Sequence, residues 1–192
     1  MHNPRQKGFT LIEALVATML FATVVTSLMG IYTFAIRLSR REDSIRTATE
    51  NVRFLSEFLT KEIRNGQIDY NDSAIGNCVT TSFGGRSDLQ IVNVDGDIEC
   101  FYLNAVNSTL VLVKKPATQV SIAAQNINLN YSKITAITFY VNPPTLSNPP
   151  TGTIQPTVTI TGNVQTNKDP NNIINMPFET SISLPKYDIT NP

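Results

Sequence analysis

The chain has 192 residues, about the size of one ordinary domain, and its 15 Lys+Arg balance its 15 Asp+Glu to a formal net charge of zero. Bulk charge therefore gives it no attraction to nucleic acid or to an acidic surface. One histidine, His2, and two cysteines, Cys78 and Cys100, leave most ordinary catalytic kits without their parts. A Ser/His/Asp or Cys/His site needs a histidine base, and a zinc site needs three or four His or Cys ligands. Only 16% of residues are charged, against roughly 25% in a typical soluble domain, while 23 Thr and 19 Asn supply neutral polarity.

The placement of the charges divides the chain. Met1 to Gly8 is a short polar and basic leader. Between Glu13 and Arg37 lie 23 residues, Ala14 to Ile36, without a charge. As a helix this stretch measures about 35 Å, enough to cross a hydrocarbon core of about 30 Å. Arg37 to Gly66 then carries 12 charges, whereas Ser121 to Pro192 carries six and most of the 11 prolines. No proline occurs between Arg5 and Lys115, so one helix can run from Phe9 to about Asn65, roughly 85 Å at the usual rise. The expected parts are 1–8 as leader, 9–36 as apolar anchor helix, 37–66 as amphipathic helix and 67–192 as a β-rich head.

Glu13 stands out on physical grounds alone. A carboxylate in the apolar part of a membrane helix costs on the order of 2.5 to 3.5 kcal/mol at the bilayer centre and less near an end. Either it lies at the headgroup interface or it has a partner. Phe9 is one helical turn away, so a free α-amine there is the nearest cation within the chain, and the same amine on an adjacent subunit is another. Desolvation offsets much of such a pair's attraction, which makes register its main benefit. Gly30, in the same run, is either a weak point of the helix or a site of close helix packing.

The segment GFTLIEALVATMLFATVV, from Gly8 onward, resembles the N-terminus of type IV prepilins and of the pseudopilins of type II secretion and DNA-uptake machines. An ordinary secretory signal is cut after its apolar region, whereas the small residue here, Gly8, precedes it. The resemblance implies that a membrane aspartyl prepilin peptidase cuts after Gly8 and N-methylates the new terminus, Phe9. It makes Glu13 the carboxylate that joins a growing filament. Cleavage would leave 184 residues, remove His2 and two basic residues, and set the formal charge at −2. Asn51 to Gln67 (NVRFLSEFLTKEIRNGQ) and Phe178 to Leu184 (FETSISL) look like stretches of the W-type minor pilins and the J-type minor pseudopilins. Many major pilins have proline where this chain has Gly30, which argues for a minor subunit.

The partners this implies are the peptidase, other pilins or pseudopilins through the N-terminal helix, an inner-membrane assembly platform, and lipid before assembly. The implied location is a single-pass inner-membrane protein with its head outside the cytoplasm. Counting Arg5 and Lys7 before the span against Arg37, Arg40 and Arg41 after it leaves orientation ambiguous by the positive-inside rule. A permanently anchored surface module that binds a ligand, and a DNA-uptake pseudopilin, are the competing functions.

From Leu38 the apolar positions Leu38, Ile45, Ala48, Val52, Leu55, Leu59 and Ile63 form a helical stripe that predicts packing on a sheet. Glu42/Arg46 and Glu57/Lys61 are spaced as i,i+4 pairs, and Gly66 is placed to end the helix. Beyond Asn77 the period changes to two. Leu89–Val94 and Asp97–Leu103 flank Asp95-Gly96, a two-residue hairpin signal that sets Asn93 against Ile98, Ile91 against Cys100 and Leu89 against Tyr102. In that register Cys100 shares the inward face. Further strands are expected at 109–113, 127–131, 134–141, 157–164 and 178–184, with a proline-rich loop at 142–155. The fold class is α+β: a long N-terminal helix packed on an antiparallel sheet, similar to the pilin fold.

Cys78 and Cys100 form either a disulfide, closing a 23-residue loop and stabilising by roughly 3 kcal/mol, or two buried thiols. Asp88, Asp95, Asp97 and Glu99 gather around one hairpin but lack an EF-hand's ligand pattern, and read as a solvated acidic turn. Lys114-Lys115 is a strand-end charge pair without the aromatic ladder of a nucleic-acid site. No catalytic residue, metal site or cofactor is assigned.

Overall fold

The computed structural model describes residues 8–69, 86–117, 122–143, 153–170, 172–184 and 187–188. Its elements are α1 (Leu11–Arg64), β1 (Gly66–Ile68), β2 (Asp88–Asn93), β3 (Ile98–Asn104), β4 (Thr109–Lys115), β5 (Ala123–Ile127), β6 (Ser132–Asn142), β7 (Thr153–Ile154), β8 (Thr157–Thr166), β9 (Asn175–Ser183) and β10 (Tyr187–Asp188). The chain divides into two compact units, Met1–Asp43 and Ser44–Pro192, and α1 contributes to both.

In the first unit every residue from Gly8 to Asp43 is exposed. Here α1 is long and apolar enough to cross a membrane. Its hydroxyl side chains do not spoil that character. Thr18, Thr23, Thr26, Ser27 and Thr33 each donate to the carbonyl three or four residues back, on Leu15, Leu20, Ala22, Thr23 and Gly30 respectively. A hydroxyl satisfied within its own helix makes no demand on a surrounding apolar medium. The helix continues through Gly30 without a break.

In the second unit, α1 lies on the head. Ala48, Leu55, Leu59 and Ile63 are buried, as the stripe requires. Three members of the expected stripe are not: Val52 is partly buried, Leu38 and Ile45 are exposed, and Ser44, Thr47 and Asn51 are buried instead. For Asn51 the compensation is visible. Its Nδ2 donates to the carbonyl of Asn130 at 2.7 Å and to Ser132 Oγ at 2.8 Å, so the amide is satisfied where apolar side chains were expected. The outer-face ion pairs are also rearranged, to Arg46–Glu50 and Arg53–Glu57 in place of Glu42/Arg46 and Glu57/Lys61. Arg46 and Glu57 each have a potential partner one turn away on either side, and both form Arg–Glu pairs.

The head contains more than one sheet. A five-stranded antiparallel meander runs β1-β2-β3-β4-β5, a three-stranded antiparallel sheet runs β6-β8-β9, and β7 pairs with β10. One apolar cluster joins the helix to the two larger sheets. It contains Leu55, Leu59 and Ile63 from α1, Ile91, Phe101 and Leu112 from the meander, and Phe139, Ile160 and Ile182 from the second sheet. Phe58 adds an edge-on contact to Phe101, with ring centroids 6.4 Å apart, and stacks with Phe54 at 6.2 Å.

The strand expected at 127–131 lies upstream, at Ala123–Ile127. Its first four residues are exposed and show no alternation, while Ile127, Leu129 and Tyr131 alternate beyond it. Tyr131, with φ of 48°, sits in a turn instead. The expected hairpin register is shifted by one residue: Leu89 faces Phe101, Ile91 faces Glu99, and Cys100 faces Gln90. The cause is the turn. Asn93 N donates to Asp97 O at 2.9 Å, Gly96 N donates to Asn93 O at 3.0 Å, and Gly96 takes φ of 81°. This is a three-residue loop ending in a left-handed glycine, where Asp95-Gly96 alone suggested two. A shift of one residue moves Cys100 to the opposite face, where it is buried with Val111 and Val113, away from the helix.

Gly162 marks the tightest contact between β8 and β9, whose register sets it opposite Phe178. A Cβ on Gly162 would lie 2.5 Å from two ring carbons of Phe178 and 3.0 Å from the carbonyl oxygen of Ala136. Gly162→Ala is therefore expected to destabilise the protein by about 1 to 3 kcal/mol through overpacking. Urea denaturation compared with wild type measures this, and an unchanged midpoint would contradict the packing described.

Candidate functional site

Gly8, Phe9 and Thr10 precede the first helical residue, Leu11, and all three are exposed, Phe9 at 79%. Thr10 occupies the N-cap position. Its backbone N and its Oγ1 donate to Glu13 Oε2 at 3.2 and 3.1 Å, while Glu13 N donates to Thr10 Oγ1 at 3.4 Å. Ala14 N closes the first turn onto the Thr10 carbonyl at 3.2 Å. This is a reciprocal capping box, Thr-x-x-Glu, in which each side chain satisfies a backbone donor that the helix leaves unpaired. The carboxylate also lies at the positive end of the helix dipole.

In the intact chain, then, Glu13 has a local partner in Thr10. The alternatives expected for Glu13 were the headgroup interface and the Phe9 amine; the Thr10/Glu13 spacing is itself a legible capping signal. Ile12, Val16 and Leu20, with Glu13 and Ala17, line a shallow apolar groove along the same side of the helix. Gly8 has no atom within 4 Å of where a Cβ would stand. Nothing in the fold therefore demands glycine at this position, and the peptide bond after it is accessible.

The other candidate residues lie elsewhere. Cys100 is fully buried in β3 and is disulfide-bonded; its expected partner, Cys78, lies outside the described residues. The acidic hairpin does not form one convergent site. Asp88 pairs with Arg86 at 3.1 Å, Asp97 Oδ1 accepts from Ala117 N at 3.0 Å, and Glu99 faces Lys114. Among the described residues no three His, Cys, Asp or Glu side chains are grouped to hold a metal ion.

One expectation is corrected here. Glu99 is only 2% exposed, so the acidic turn is not solvated throughout. Lys114 and Lys115 end β4 as expected, and Lys114 Nζ lies 2.7 Å from Glu99 Oε1 and 3.9 Å from Glu62 Oε2. Burial lowers the affinity of this amine for its proton. The Glu99 hydrogen bond and the charges of Glu99, Glu62 and Asp97 outweigh that effect and raise its pKa above the usual value of 10.5.

Residues 3–29 match the family model described as the prokaryotic N-terminal methylation motif. No curated protein and no solved structure matches the chain. The chain carries the type IV prepilin-like signal, and the match spans the capping box and most of the apolar stretch.

The capping box makes a local prediction. Thr10→Ala and Glu13→Ala each remove one half of it and are expected to cost about 0.5 to 2 kcal/mol of helix-end stability, whereas Glu13→Gln keeps the reciprocal hydrogen bonding. Amide hydrogen exchange at Thr10 and Glu13 in detergent micelles should accelerate in the two alanine variants and stay close to wild type in Glu13→Gln. Equal acceleration in all three would show that hydrogen bonding is not what holds this end.

Proposed function

We propose that this chain is a minor pilin or pseudopilin, a structural subunit made as a membrane-stored precursor and assembled into, or priming, a type IV pilus or a type II secretion-like filament. One observation carries the reading. An uncharged helical stretch with every side chain exposed is opened by Gly8-Phe9-Thr10-Leu11-Ile12-Glu13 at its junction with a polar leader.

In this reading a prepilin peptidase cuts after Gly8, releases 1–8 and methylates the α-amine of Phe9. The methylated amine keeps its positive charge. Residues 9–36 stay in the inner membrane as the anchor, with 37–66 and the β-rich remainder carried outside the cytoplasm. During assembly the apolar surface from Leu11 to Ile36 exchanges lipid neighbours for the helices of other subunits, which loses little hydrophobic free energy because both surroundings are apolar. Glu13 opposes that exchange unless it meets a cation, and the Phe9 amine of an adjacent subunit supplies one. The resulting pair sets the axial register between helices more than it adds net stability.

The likeness of Asn51–Gln67 and Phe178–Leu184 to W-type and J-type subunits supports a place at or near the filament tip. The first of these segments builds the end of α1 and begins β1; the second overlaps β9. Partners are the peptidase, sister pilins and an inner-membrane assembly platform. Cys100 pairs with Cys78, in keeping with an oxidising compartment for the head.

Two substitutions test the reading. Replacing Gly8 with a bulky residue is expected to abolish shortening of the precursor without changing the head's stability, since nothing packs against that position. Glu13→Gln is expected to leave shortening and the capping box intact while incorporation into sheared filaments falls at least tenfold. Normal processing of the Gly8 variant, or normal incorporation of Glu13→Gln, contradicts the proposal.

A further inference from the structure

At the loop end of the β2–β3 hairpin, three side chains on the helix-facing side of the meander meet at one buried carboxylate. Glu99 and Lys114 are partners in the β3–β4 register, and Asn93 ends β2 beside them. Glu99 Oε1 accepts from Lys114 Nζ at 2.7 Å and from Asn93 Nδ2 at 3.1 Å. Its other oxygen, Oε2, is buried and accepts no hydrogen bond among the described residues. On the far side of the same amide, Asn93 Oδ1 accepts the backbone N–H groups of Asp95 at 2.9 Å and Asp97 at 3.0 Å. Those two donors fix which end of the amide is oxygen.

A simple structural ion pair requires only Lys114 and Glu99. It does not account for a carboxylate that is nearly inaccessible, carries one unpartnered oxygen and shares the other with an amide nitrogen. A buried polar atom without a partner costs free energy, and its position beside an amine and a polarised amide suggests a chemical use. The four elements of acyl transfer are present: an amine nucleophile, an amide carbonyl, two N–H donors on the carbonyl oxygen, and a carboxylate touching both nitrogens.

We propose that Lys114 and Asn93 join in an intramolecular isopeptide bond, with Glu99 as the proton carrier. Lys114 Nζ first gives a proton to Glu99. The neutral amine then attacks Asn93 Cγ, and the negative charge developing on Oδ1 is met by the N–H groups of Asp95 and Asp97. As the new Cγ–Nζ bond forms, the attacking nitrogen loses a second proton and Asn93 Nδ2 gains one, both by way of the carboxyl group. The Cγ–Nδ2 bond breaks and ammonia leaves. It takes up the remaining proton as ammonium, and Glu99 returns to its ionised form. No oxidant, metal or cofactor enters the balance.

Glu99, Glu62 and Asp97 all favour the ammonium form of Lys114, so the first proton transfer runs uphill. The product ties the end of β2 to β4 across β3, fastening three neighbouring strands at the loop end of the β2–β3 hairpin. The bond is independent of the chain's assembly role and stands or falls separately from it.

The test is a peptide map of the full chain purified in detergent, reduced and alkylated, then digested with trypsin and a protease that cuts after Glu. Cleavage after Glu99 separates the segment containing Asn93 from the segment containing Lys114. The expected result is that the two remain covalently joined, lighter by one ammonia than their sum, in most of the molecules. Two separate peptides, with trypsin cutting after Lys114, overturn the proposal. So does an ammonia loss that fragmentation places within one of the two segments while they separate from each other. Lys114→Arg keeps a cation for Glu99 and is expected to fold but lack the bond. Glu99→Gln is expected to lack it too, and a bond formed at wild-type yield in Glu99→Gln overturns the role given to Glu99.

Discussion

The structure depends on one constraint: the apolar surface of α1 before Ser44 must be covered, and nothing in its own unit covers it. Every residue from Gly8 to Asp43 is exposed, including the 23 uncharged residues from Ala14 to Ile36. Surface of this kind exposed to water would be a severe aggregation liability. The five Ser and Thr hydroxyl groups among those 23 residues are turned onto the helix's own carbonyls, which suits an apolar surrounding. Lipid tails and other helices of the same kind provide nearly equivalent cover, so moving between them needs little free energy. Under the proposed function, that near-equivalence lets one segment serve as an anchor and as an assembly surface. Glu13 is the exception, because its charge distinguishes the two surroundings.

The capping box gives Glu13 a second role. While Thr10 holds the carboxylate, the first turn of the helix is complete and the charge has two hydrogen-bond donors. Under the proposed function, a cation from a neighbouring chain competes with that local arrangement, so the energy gained on assembly is a difference between two partnered states. Such a difference is small, and this suits an interaction whose contribution is to alignment. In the head the polar exceptions are likewise accommodated: Asn51 is buried but reaches Asn130 and Ser132, and Glu99 is buried but reaches Lys114 and Asn93.

Much of this was legible in the residues. The charge-free run and the absence of proline from Arg5 to Lys115 were enough for a single long helix, and a seven-residue apolar stripe located most of its buried face. Near the start of the head burial falls to Ser44, Thr47 and Asn51 instead of Ile45, and the partners of Asn51 are distant in sequence. Asn51 and Asn130 are 79 residues apart, a relation that no local period encodes. The hairpin register failed for a more local reason. Asp95-Gly96 suits a two-residue turn, but the Asn93 side chain captures two backbone N–H groups and lengthens the loop by one residue, which reverses the face of every residue in β3 relative to β2. The buried carboxylate at Glu99 was invisible for the same reason, since the expected register placed Cys100 where Glu99 now lies. The Thr10/Glu13 cap, by contrast, was written in the spacing and was passed over in favour of the Phe9 amine.

The central claim is that the chain loses only its polar leader and keeps the apolar helix. Mass spectrometry of the N-terminal peptide from protein extracted out of its native membrane tests this most directly. The account requires a peptide that begins at Phe9 and carries one methyl group on its α-amine. A peptide that still begins at Met1, or one that begins beyond Ile36, contradicts it.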